Sequence, residues 1–129
     1  MILGDLEKTV LRYFWEIDAA DAKQVHAHFE KIRGGSLNTI QATLDRLFKK
    51  GLLHRSKQSH AFIYESAMDK HTFLGKLIVD VTRDFSENNE NPLATAFTSI
   101  ASTSSEKDLE ELERLISHQR KIQQKGESE

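Results

Sequence analysis

The sequence contains no cysteine, which removes disulfides, thiolate-bound zinc or copper, iron–sulfur ligation and a cysteine nucleophile together. Net charge is nearly missing as well: 18 Lys and Arg against 20 Asp and Glu leave −2 over 129 residues. A histone-like polycation is excluded, so any surface for a nucleic acid must be local. Long apolar runs are missing too. The longest charge-free stretch, Asn91 to Ser105, is rich in Ser and Thr and shorter than the roughly 20 apolar residues of a membrane span. The N-terminus turns acidic at Asp5 and Glu7 with no basic residue before them, so no signal peptide is expected and the chain is read as cytoplasmic with no membrane partner. No repeat is visible. No Ser/His/Asp arrangement, phosphate-binding glycine loop or paired-carboxylate motif has a recognisable context, so no catalytic residue is assigned and the chain is not read as an enzyme. His26 and His28, two residues apart, would point to different faces of a helix, which speaks against a joint metal site. Neither metal nor cofactor is expected.

What is present reads as a globular chain, with 38% hydrophobic and 29% charged residues. The charge is uneven: residues 1–65 carry net +2 and residues 66–129 net −4. Arg46, Lys49, Lys50, Arg55 and Lys57 form a basic patch with no carboxylate between them. Leu3, Leu6, Val10, Leu11, Phe14 and Ile17 recur at helical spacing, with Gly4 as N-cap and Glu7 able to reach back as half of a capping box. Trp15 and Phe14 are expected in the core. Ala22, Val25, Phe29 and Ile32 predict a second helix ended by Gly34-Gly35. Ser36 caps a third, whose buried positions are Leu37, Ile40, Leu44, Leu47 and Phe48 and whose end is Gly51. Leu52 to Arg55 and Ala61 to Tyr64 read as a β-hairpin with an exposed tip over Ser56 to His60.

Three helices followed by a hairpin is the winged helix-turn-helix order. The outer face of the third helix suits a major groove: Asn38 and Gln41 can pair bidentately with adenine, Thr39 can meet a base or a phosphate, and Arg46 can reach guanine or the backbone. Lys49, Lys50, Arg55 and Lys57 are candidates for phosphate and wing contacts. A winged-helix protein-interaction module without DNA affinity is the alternative from another class.

Downstream, Asp69 caps a fourth helix with Phe73, Leu74, Leu77, Ile78, Val81 and Phe85 as apolar positions, and Ser86 to Pro92 reads as a linker. A short helix around Leu93, Phe97 and Ile100 and a long one from about Glu106 to Gln124 follow. The stripe Leu109, Leu112, Leu115, Ile116 and Ile122 on the last helix cannot be buried by a two-helix appendage alone, which points to dimerisation. The fold expected is mainly α with a small β-wing: a winged-helix DNA-binding domain over 1–67 and a helical dimerisation region over 68–129. The candidate interface is Leu77, Val81, Leu109, Leu112 and Ile116.

The stretch from Ser36 to Leu53, with Thr39-Ile40, Arg46-Leu47-Phe48 and Lys49-Lys50-Gly51 in place, resembles the penicillinase-repressor (BlaI/MecI/CopY) family of bacterial winged-helix repressors. Leu3 to Glu7, Trp15-Glu16, the aromatic Phe62-Ile63-Tyr64 and the closing Asp108 to Leu112 extend the likeness over most of the chain. The resemblance implies a homodimer on an inverted-repeat double-stranded DNA operator, blocking transcription, with the C-terminal helices as interface. Relatives often carry basic residues early in the recognition helix, where Asn38 and Gln41 stand here, and Asp45 adds a negative charge. Some relatives are cleaved at an Asn-Phe bond, where this chain reads Ala96-Phe97, and copper-responsive relatives use a cysteine pair that it lacks. The switch is expected to be a regulatory protease or an unknown inducer. The Ser/Thr-rich stretch up to Ser105 is expected to be mobile and the place a protease would cut.

Overall fold

The computed structural model describes residues 2–88 and 91–127; Asn89 and Glu90, in the middle of the expected linker, lie outside the described residues. Tertiary contacts divide the chain into two units, Met1–Asp80 and Val81–Glu129.

The first unit begins with α1 (Asp5–Phe14) and α2 (Ala22–Glu30). The α2 N-terminus is closed by a full capping box, with the Asp21 carboxylate accepting from the Gln24 N–H and the Gln24 side chain accepting from the Asp21 N–H. Its helix ends at Glu30, two residues short of Ile32, which is exposed rather than on the apolar face. Gly34 and Gly35 adopt φ of 75° and 116°, a left-handed turn open to glycine at little cost. It delivers the chain to α3 (Leu37–Lys49), whose N-cap is Ser36, accepting from the Thr39 N–H. Gly51, at φ 79°, reverses the chain after α3.

The wing is β2 (Leu53–Gln58) and β3 (Ala61–Ser66), antiparallel from Leu53 opposite Ser66 to Gln58 opposite Ala61. Pairing thus continues through Ser56, Lys57 and Gln58, and the tip shrinks to Ser59 and His60, with Ser59 at φ 56°. A third strand, β1 (Ala20–Asp21), joins the other edge of β3 opposite Tyr64 and Ile63. Two residues are too few to show an alternating pattern, so the sequence reads as a plain helix break there.

The core of this unit is built by Val10, Leu11 and Phe14 of α1, Val25 and Phe29 of α2, Ile40, Leu44 and Leu47 of α3, and Leu52, Leu53 and Tyr64 of the wing. Each fully buried aliphatic or Phe side chain contributes about 1.5–3 kcal/mol relative to exposure. Trp15 closes one side: its indole N–H donates to the Met68 carbonyl at 3.0 Å, and its ring lies 5.5 Å from that of Phe73. Phe73 belongs to α4 (Lys70–Asp84), which starts behind Asp69, whose carboxylate accepts from the Thr72 N–H.

The second unit contains α5 (Pro92–Thr103) and α6 (Glu106–Glu127). Asn91 caps α5, and Pro92 is its first residue, a position where the missing N–H costs nothing. The short helix expected around Leu93, Phe97 and Ile100 thus takes in most of the Ser/Thr-rich stretch. Thr95, Thr98, Ser102 and Thr103 turn their hydroxyls onto carbonyls three or four residues back, which satisfies these groups within the helix. The Ser105 hydroxyl accepts from the Asp108 N–H at the start of α6. No described residue from 81 to 126 is buried.

Candidate nucleic-acid interface

The α3 helix buries Ile40, Thr43, Leu44 and Leu47 and leaves Asn38, Thr39, Gln41, Ala42 and Arg46 outside. Thr39 shares a hydroxyl contact of 2.9 Å with Ser36, which ties this candidate reader to the N-cap. The side chains of Asn38 and Gln41 make no hydrogen bond to any other described residue. Thr43 belongs neither to the apolar stripe nor to the outer polar face that the sequence pattern of α3 predicts. Its hydroxyl donates to the Thr39 carbonyl at 2.8 Å and accepts from the Arg46 guanidinium at 3.2 Å, so it orients Arg46 from inside the fold.

Folding brings two carboxylates, Glu7 and Asp45, to four of the five cations of the basic patch, which stays net positive. Glu7, 43 positions from Lys50, is buried and takes the Lys50 ammonium in an ion pair. It also lies 3.6 Å from the Arg46 guanidinium. Burial alone would raise the Glu7 carboxyl; the hydrogen bond and charge of Lys50, the Gly4 N–H and the charge of Arg46 outweigh it and hold the group below its ordinary value. The Glu7 carboxylate stays near Gly4 at the start of α1, and its ion pairs with Lys50 and Arg46 tie α1 to the end of α3.

Asp45 pairs with the other side. It accepts from Lys49 at 2.9 Å and from Arg55 at 3.1 Å, and the Lys49 hydrogen bond is the largest cause of its lowered carboxyl pKa, with Arg55 adding to it. Arg55 is further held with its guanidinium 3.9 Å from the centre of the Phe48 ring and 4.2 Å from that of Phe62. It therefore braces the wing against the recognition helix through a carboxylate and two aromatic faces. Among the described residues Lys57, on β2, is the member of the patch without an ion pair, and it is exposed.

The five interface candidates fall in different places. Leu77 is half-buried against the core of the first unit. Val81 is exposed at the start of the second unit, and Leu109, Leu112 and Ile116 share one side of α6, the first two half-buried and the third exposed. His28 stacks on Tyr13 with ring centres 4.1 Å apart, and the His26 ring bonds the Gly35 carbonyl at 3.0 Å, so the first packs α2 on α1 and the second ties α2 to the turn that leads to α3. Among the described residues no group of three or more His, Asp or Glu is placed to hold a metal ion. Among the described residues no helix is long and apolar enough to cross a membrane.

The profile of the Penicillinase repressor family matches residues 3–118. The penicillinase repressor of Bacillus licheniformis is 29% identical over 72 residues, 56% of this chain and 56% of that protein. The transcriptional regulator BlaI of Mycobacterium tuberculosis (strain ATCC 25618 / H37Rv) is 29% identical over 79 residues, 60% of this chain and 57% of the relative. The chain thus spans little more than half the length of these relatives. Among solved structures, the solution structure of the DNA-binding domain of the repressor BlaI matches with a TM-score of 0.50 and 26% identity, over 68% of this chain and 93% of that domain.

Proposed function

Because the chain belongs to the penicillinase repressor family, we propose that it is a sequence-specific DNA-binding transcriptional repressor that acts as a homodimer on an inverted-repeat operator. The observation that carries this reading is the uncommitted face of α3, where Asn38 and Gln41 stand exposed on a helix whose opposite side is locked into the core. Amide side chains on such a face match the donor and acceptor pair of adenine in the major groove. Arg46, steered by Thr43 and Glu7, and Thr39 complete the reading set, while Lys49, Lys50 and Lys57 supply phosphate contacts. Arg55 meets a phosphate only with the part of its guanidinium that Asp45 and the two rings leave free.

DNA binding is assigned to residues 1–67 and dimerisation to 68–129, with Val81, Leu109, Leu112 and Ile116 carrying the interface and Leu77, packed on its own core, the weakest of the candidates. The reaction class is binding without catalysis, in the cytoplasm. For relief of repression, an inducer is favoured over a protease, because Ala96-Phe97 lies inside α5 and would have to unwind to enter a protease cleft.

The test is a salt titration of binding to a selected palindrome and to random duplex, with wild type and Arg46→Ala. A steep log–log slope on both duplexes is expected, with Arg46→Ala losing about 1–3 kcal/mol on the palindrome alone. No binding to either duplex at low salt would overturn the reading in favour of a protein-interaction module.

A further inference from the structure

A groove of 720 Å³ lies between α1 and the first turns of α4, wholly within the first unit. Its floor is apolar: Leu11 and Phe73 are buried, Trp15 and Leu77 half-buried, and Leu74 is 42% exposed. The rim is cationic. Lys8 and Arg12, one turn apart on α1, face Lys70 at the start of α4, and Asp5 is the single carboxylate among the lining residues. Among the described residues none of these three cations has an ion pair, in contrast to the patch around α3, where four of five are paired. An apolar floor of this size under unpaired positive charge is the constitution of a site for a small amphipathic anion, since the apolar part of a ligand gains by burial and a few placed charges fix its head.

We propose that this groove binds an amphipathic organic acid, with an aliphatic or aromatic body on Trp15, Phe73 and Leu77 and its carboxylate among Lys8, Arg12 and Lys70. Charge complementarity selects an acid over a neutral or cationic amphiphile. The site does not depend on the chain's acting on DNA, so its failure and the failure of the repressor reading are separate results.

Trp15 is the sole tryptophan of the chain and lines the groove, so its emission reports occupancy directly. Decanoate, titrated into the full chain, is expected to shift Trp15 emission saturably, with decan-1-ol and decyltrimethylammonium binding at least tenfold more weakly. The double variant Lys8→Gln/Arg12→Gln, both exposed positions, should weaken decanoate at least tenfold while leaving decan-1-ol binding and the circular dichroism spectrum unchanged; Lys70→Gln on its own should weaken decanoate to a smaller extent. Unsaturable or missing response to decanoate, equal binding of decan-1-ol, or full affinity in both variants would overturn the proposal. Trp15 emission that changes with protein concentration alone, and resists decanoate, would do so too by identifying a second copy of the chain as the occupant.

Discussion

The two units of this chain solve the burial of apolar surface in opposite ways. Residues 1–80 close a core around Phe14, Ile40, Leu44 and Leu47, each 2% exposed or less. Residues 81–126 present Val81, Phe85, Leu93, Phe97, Ile100, Leu115, Ile116 and Ile122, each at least 39% exposed, and bury none of their described residues. Both halves are helical and both have capped helices, so hydrogen bonding and propensity do not distinguish them. What does is the number of elements that meet: three helices and a sheet can enclose an interior, whereas two helices cannot. The first unit therefore carries its stability within one chain, and the second has stability to gain from an apolar surface outside itself.

The sharpest way to break this contrast is to make the same truncation in each unit. Leu44→Ala should cost about 2–5 kcal/mol in urea unfolding of the first unit, independent of protein concentration, because a fully buried side chain leaves a cavity. Leu112→Ala should instead lower a midpoint that depends on protein concentration; a concentration-independent loss there would mean that α6 is packed within its own chain. Leu112→Asp should go further and leave a monomer by sedimentation, because an unpaired charge cannot be buried in an interface. Affinity for a palindrome should then fall about a hundredfold or more as the second half-site ceases to be an intramolecular contact. A dimer of unchanged strength would move the interface elsewhere.

Glu7 sharpens the contrast from the side of the first unit. Its carboxyl is depressed in the folded state, so the stability it adds is present in full above its unfolded value of 4.5 and is lost as pH falls through the lower folded value. Glu7→Gln should flatten the acid limb of the stability profile, measured by urea unfolding from about pH 7 down to about pH 3, and leave its shape above that limb as in the wild type. The smallest effects are expected on the wing. Lys57→Ala should reduce the salt slope of duplex binding by about one. Asp45→Asn should raise affinity for every duplex severalfold by releasing Lys49, unless loss of the Arg55 brace displaces the wing, which an unchanged affinity with altered circular dichroism would reveal.

Much of the fold is legible in the sequence because its determinants are local. Ser36, Asp69 and Gly51 announce helix ends through the chemistry of their own side chains or of a missing one, and the three- and four-residue spacing of Val10, Phe14, Ile40, Leu44 and Leu47 names the core. The winged-helix order follows from those elements in sequence. What stays hidden is non-local or too short. The strand Ala20–Asp21 exists because β3 offers an edge to pair with, a fact no two-residue window contains. The run from Arg46 to Lys57 reads as a free positive patch, yet Glu7 arrives from another helix and Asp45 sits one residue before the run begins. Phe48 and Phe62 are visible as aromatics, but their sandwich around Arg55 depends on how the wing folds back. The helix around Leu93, Phe97 and Ile100 is legible from its spacing, and the hydroxyls of Thr95, Thr98, Ser102 and Thr103 are satisfied along it.

One consequence follows from the placement of Asn38 and Gln41. Both are exposed and neither side chain hydrogen-bonds another described residue, while the helix that displays them is pinned by Ser36 at one end, Gly51 at the other and four buried residues along its inner face. Substitution at these two positions should be nearly neutral for folding, because no buried side chain and no side-chain hydrogen bond is lost. Drift in the target a family member recognises can then proceed one residue at a time, without a compensating change in the scaffold. On the proposed reading of DNA by Asn38 and Gln41, two paralogues in one cell could diverge to separate targets through α3 alone and still share every element that keeps them folded.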